Sequence, residues 1–169
     1  MRSAAALIGF GLLMGGCRSE LLGLPGDAAV APSDDEYEAH VLPTKLGQLG
    51  IFKRSQARQL CAWIVLAQGT SSIYMITTPP GWVTERASIN DSAADCFTLE
   101  PFGPTFWPAN AGTGTVIFSA PAGQLPCTLS VHATLAADKT ANGVPRPPEV
   151  APQERFDADG LIVAGACTR

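Results

Sequence analysis

The chain has 169 residues and a formal net charge of −4, with 46% hydrophobic and 15% charged residues. That balance describes a globular chain of one domain, two at the most, and excludes intrinsic disorder and nucleic acid as the main partner. Its 17 glycines and 14 prolines interrupt it too often for a helical bundle.

The first element is an export signal. Met1-Arg2 supplies a positive charge, and Ala4 to Leu13 is an unbroken apolar run. Ten helical residues at ~1.5 Å each reach about half-way through a bilayer core, so the run fits a signal peptide better than a membrane span. It leads into Met14-Gly15-Gly16-Cys17. This stretch resembles the lipobox of bacterial lipoproteins, with Met14 where that class usually carries Leu. The resemblance implies cleavage before Cys17, a diacylated Cys17 thiol and anchoring by lipid. An ordinary cleaved signal and an uncleaved anchor are the other readings. Arg18 follows the cysteine where lipoproteins kept in the inner membrane often carry Asp, so the resemblance points to the outer membrane of the cell envelope. The chain then divides into a signal peptide at 1–16, a lipidated cysteine with an acidic tether at 17–47, and a β-domain at 48–169.

The tether is where most of the acidity lies. Residues 18–45 hold six acids and two bases, with the acids concentrated in Asp34-Asp35-Glu36-Tyr37-Glu38. Such a run reads as a solvated spacer, or as a docking motif for a basic partner. His40 falls in the same segment and is expected to be exposed and idle.

From residue 48 onward, short apolar stretches alternate with turn residues. Lys53 to Gln59 fits a short helix with Lys53, Arg54 and Arg58 on one face. Leu60 to Leu66 is apolar on both faces and reads as a buried central strand. A second strand, Ile73 to Thr77, stops at Pro79-Pro80-Gly81. Trp82–Ile89 and Cys96–Leu99 are weaker strands, and Thr115–Ser119 is a better one. In Cys127 to Leu135 the odd-numbered residues are apolar and the even ones polar, a strand with one wet side. Arg155-Phe156 and Leu161–Ala164 flank Asp157-Ala158-Asp159-Gly160, which reads as a hairpin turn. Six to eight such strands predict an all-β fold: an antiparallel β-sandwich, immunoglobulin-like or related, with a small closed barrel as the alternative.

The five cysteines fit export. With Cys17 assigned to lipid, four remain, an even set suited to two disulfides in an oxidising compartment. Placing Cys127 opposite Cys167 sets Leu129 against Gly165 and Val131 against Val163, with every inward residue kept inward. Cys61 then pairs with Cys96. Two other pairings remain open.

Chemistry is sparse. His132 lies on a polar strand face with Ser130, but no acid is placed beside it and no G-x-S-x-G elbow occurs. The histidine and cysteine set offers no metal site, Asp157-x-Asp159-Gly160 lacks the later ligands of a calcium loop, and no cofactor motif is present. Glu85, Asp91, Asp95 and Glu100 are the carboxylates available to a hydrolase. Gly112-Thr113-Gly114 precedes a strand, so it is no phosphate loop, and Asn90-Asp91-Ser92 is a chance glycosylation sequon. Val144 to Pro152 reads as a stiff proline-rich connector. The distinctive stretch is Pro101 to Pro108. Its Phe102, Phe106 and Trp107, with Trp82, would make an aromatic platform for an envelope protein or a glycan, or else cap the core. The sequence therefore points to a lipid-anchored envelope protein that binds rather than catalyses. A small hydrolase and a barrel carrying an apolar ligand are the alternatives.

Overall fold

The structure is a computed structural model that describes residues 34–43, 47–72, 74–94, 96–97, 106–121, 124–138, 140–141, 144–146 and 153–167. Those residues form β1 (Asp35–Val41), β2 (Gln48–Ser55), β3 (Leu60–Gln68), β4 (Met75–Thr77), β5 (Trp82–Asn90), β6 (Phe106–Phe118), β7 (Thr128–Ala137), β8 (Thr140–Ala141), β9 (Val144–Pro145) and β10 (Gln153–Ala164). No helix occurs among the described residues; Lys53 to Ser55 end β2, and residues 56–59 turn into β3.

The sheet runs β6-β5-β3-β2-β1-β10-β7 and returns to β6, so it closes into a seven-stranded barrel with β4 added on β6. The expected sandwich is thus replaced by its alternative. Both architectures place alternate residues inward, so the alternating pattern does not separate them. What separates them is closure, and it depends on β1. Ala39 and His40 pair in parallel with Val163 and Ala164 of β10, while β1 runs antiparallel along β2 from Leu49 to Ser55. The acidic stretch read as tether is therefore a barrel stave, and the β-domain starts at Asp35 rather than at residue 48.

Two seams interrupt the closure, and each is bridged by one of the chain's two tyrosines. Where β5 and β6 part, the Tyr74 hydroxyl donates to Ala109 O and accepts from Ala87 N, both at 3.0 Å. Where β1 and β10 part, the Tyr37 hydroxyl accepts from Asp157 N at 3.2 Å. A backbone group released by a splayed ladder needs a partner, and a phenol reaches far enough to supply one.

The barrel is filled by side chains. Leu49, Ile51, Ile64, Leu66, Ile89, Trp107, Leu129, Leu135 and Phe156 are completely buried inside it. A second cluster lies on the outer side of β2 and β3, where Phe52, Trp63 and Val65 pack with Leu42 and the Cys61–Cys96 bridge. Both faces of β3 are covered, as its doubly apolar sequence requires.

Both expected disulfides are present, with Cα separations of 5.2 Å for Cys61–Cys96 and 5.4 Å for Cys127–Cys167. The strands β7 and β10 are antiparallel neighbours, but in a different register from the expected one. Leu129 faces Leu161 rather than Gly165, and Val131 faces Ala158 rather than Val163. An even slip keeps the inward face inward, and the odd remainder is absorbed by a bulge between Ala158 and Leu161. Asp157–Gly160 is that bulge, inside one continuous strand, and not a hairpin turn. Gly160 sits there at φ +62°. Beyond β10, Gly165 at φ +81° turns the chain and carries Cys167 back to Cys127.

Candidate functional site

Three features of the barrel hold polar chemistry. The first is at the end of the barrel where β2 stops. Lys53 and Glu154 point inward with Asp35, and all three are largely withdrawn from water. The Lys53 ammonium lies 2.6 Å from Glu154 Oε1, 2.8 Å from Asp35 Oδ2 and 2.6 Å from the Arg155 carbonyl. Arg58 closes the group from the β2–β3 turn, donating to both Glu154 oxygens at 2.8 Å and to Asp35 at 3.1 Å. Burial alone pulls the Lys53 pKa down, but the bonds to Asp35 and Glu154 outweigh it and hold it above 10.5. Glu154 likewise raises Arg58. Two cations meet two carboxylates, so the group is charge-balanced and every ion has a partner. Such a set neutralises itself and leaves no charge over for a substrate.

The second feature lies on the outer wall. His132 Nδ1 is 2.7 Å from Asp157 Oδ1, and its Nε2 is 3.2 Å from Asp159 Oδ1. Arg155 donates to the other oxygen of Asp157 at 2.8 Å. The bond to Asp157, with Asp159 adding, raises the His132 pKa above 6.5, and the same bond, with Arg155 adding, lowers Asp157 below 3.8. The sequence alone places no acid beside His132. The observed register supplies two, because His132 pairs with Asp157. The expected register would have set Ile162 there. In a nucleophilic triad one ring nitrogen meets an acid and the other a hydroxyl. Here both nitrogens meet carboxylates, and Ser130 Oγ accepts from Gly160 N instead.

The third feature is a recess of about 420 Å³ in the seam between β1 and β10, lined by Tyr37, Ala39, His40, Gly160, Leu161 and Ile162 among others. His40 is not idle: its Nε2 lies 2.7 Å from Glu38 Oε2, and its ring stands edge-on to Phe52.

Trp82 and Trp107 follow the core reading of the aromatic stretch rather than the platform. Trp82 and Trp107 are 3% and 0% exposed, both inside the barrel, with Trp82 edge-on to Phe118 at 5.1 Å. The run that ends at Pro108 looked like a loop, yet Phe106 begins β6 and Phe106 to Pro108 pair with β5. Phe102 lies outside the described residues. So does Cys17, the lipidation candidate. Of the hydrolase carboxylates, Glu85 accepts from Gln48 Nε2 and Asp91 is exposed, while Asp95 and Glu100 also lie outside the described residues. Asn90 is buried in β5, which withholds the sequon from a glycan. Of the proline-rich connector at Val144 to Pro152, Val144-Pro145 forms a two-residue ladder with β8, and 147–152 lie outside the described residues. Among the described residues no group of three acidic, histidine or cysteine side chains is arranged to hold a metal ion, and no helix is long and apolar enough to cross a membrane. No family model, curated protein or solved structure matches the chain.

Proposed function

We propose that this protein is a lipoprotein of the bacterial cell envelope, held by lipid on Cys17, whose barrel acts by binding a protein or glycan partner on its outer surface. The observation that carries the anchor is the partition of the cysteines. Four are joined in two bridges, and the fifth is the one that the lipobox resemblance assigns to lipid. Two bridges also suit an oxidising compartment.

The binding part of the proposal rests on where chemistry is left exposed. Among the described residues, the interior is filled by the barrel's own side chains. The polar groups of the outer wall, by contrast, stand open. His132 and Asp157 face each other across β7 and β10 with Arg155 two residues along β10, and Thr115 and Thr113 lie beside them on the neighbouring β6. Met75, Ile117 and Ile162, the large apolar side chains exposed among the described residues, belong to strands of this same wall.

Expression of Cys17→Ser in a bacterial host tests the anchor. The substituted chain should leave the membrane fraction or accumulate unprocessed, since two or more acyl chains anchor a protein stably and a short apolar signal does not. Correctly cleaved Cys17→Ser that stays with the membrane would overturn the reading.

A further inference from the structure

We propose that His132 and the bulge of β10 form a proton-operated latch on one wall of the seam recess. An ionised carboxylate only accepts hydrogen bonds, and a neutral imidazole carries a single N–H. His132 meets Asp157 through one nitrogen and Asp159 through the other. Both contacts are satisfied together only by the imidazolium, which has two N–H donors.

The two aspartates flank Ala158, where the bulge begins, so the ring grips it from both sides. Further contacts hold the same stretch. Asp157 N donates to the Tyr37 hydroxyl across the seam, and Gly160 N donates to Ser130 Oγ on β7. Gly160, Leu161 and Ile162 are in turn one wall of the recess whose other wall is β1. The charge on His132 therefore decides whether the ring holds the bulge beside that wall at two points or one.

The surroundings determine which contact gives way. On β10, Arg155 faces Asp157. On β1, Glu38 lines the recess and is engaged by His40. Thr115 of β6, which pairs with His132, and Ser130 and Thr134 of β7 add no charge. When the ring loses its proton, Asp157 keeps the shorter contact and Arg155. Asp159, with 79% of its side chain exposed, then faces a lone pair and lets go.

The direction with pH follows. His132 is raised above 6.5, so the grip is complete below that pH and is lost as pH rises through the folded-state value. Asp157 is lowered below 3.8, so its part is complete above 3.8 and is lost as pH falls through its own folded-state value.

The test is a titration of the full-length, isotope-labelled protein by NMR from about pH 5 to pH 9, the range a histidine spans. It follows the His132 ring and the Asp159, Gly160 and Leu161 amides in wild type, Asp159→Asn and His132→Gln. The His132 midpoint should lie above 6.5, and the Gly160 and Leu161 amides should shift with that same midpoint. Asp159→Asn should lower the midpoint towards the ordinary value and shrink the amide response. His132→Gln, at an exposed position where folding is not at stake, should flatten it. A midpoint at or below 6.5 would overturn the latch. So would Gly160 and Leu161 amides that stay flat while His132 titrates, or a Gly160 response that survives in His132→Gln.

Discussion

Replacing Glu154 by Leu should cost far more than replacing Glu154 and Lys53 together by apolar residues. Glu154 is 2% exposed and takes three charged hydrogen bonds, one from Lys53 and two from Arg58. Removing one partner of a buried pair typically costs about 3–5 kcal/mol, because the other is left charged and desolvated. Lys53 keeps Asp35 and the Arg155 carbonyl, and Arg58 is partly exposed and can turn to water. The single variant should therefore fall near the lower end, about 3 kcal/mol. In Lys53→Met with Glu154→Leu no stranded ion remains, since Asp35 still meets Arg58 at 3.1 Å. Matched apolar replacements of buried pairs are often neutral, so the double variant should lie within about 1–2 kcal/mol of wild type. Urea unfolding under oxidising conditions reads this directly. With a slope of about 1–3 kcal/mol per molar, the single variant should lose roughly 1–3 M in midpoint. Additive losses in Lys53→Met, Glu154→Leu and the double variant would refute the coupling, and with it the claim that these ions neutralise each other inside the barrel.

Trp107→Ala should cost about 3–5 kcal/mol and lower the thermal midpoint by on the order of 10 °C or more, since its ring is fully buried; calorimetry that finds it unchanged would return Trp107 to the surface. Gly114→Ala should destabilise by about 2 kcal/mol or more, because Gly114 has φ +134° and a Cβ there would stand 2.2 Å from the His132 carbonyl oxygen. Denaturant unfolding checks that value, and a neutral substitution would contradict the close approach of β6 to β7.

Much of the barrel is legible in the sequence. The alternation of 127–135 and the doubly apolar 60–66 mark strands where β7 and β3 stand, and both cysteine pairs form as expected although the register used to argue Cys127–Cys167 is not the observed one. Closure was hidden because β1 does not look like a stave. Asp35 points into the barrel, which is tolerable only because Lys53 and Arg58 arrive from residues far along the chain. Asp157–Gly160 carries the same glycine requirement in a bulge as in a turn, so local chemistry could not choose between them. The partners of His132 depended on that choice, since the register that places Asp157 beside it follows from the bulge and from the turn at Gly165. The strand at Trp107 is hidden by its prolines. Pro104 and Pro108 suggest a loop, but Pro108 is accommodated beside Ser88, and its carbonyl accepts from Asp138 N.

The measurement that bears most directly on the proposed function is the intact mass of the protein extracted from membranes, before and after thiol alkylation. The account predicts a chain beginning at Cys17 and carrying the mass of a diacylglyceryl group. No thiol should be alkylated until reduction, after which Cys61, Cys96, Cys127 and Cys167 all are. An unmodified Cys17 that alkylates without reduction would contradict the lipid anchor, and a free thiol at any of the other four would contradict the barrel's two bridges.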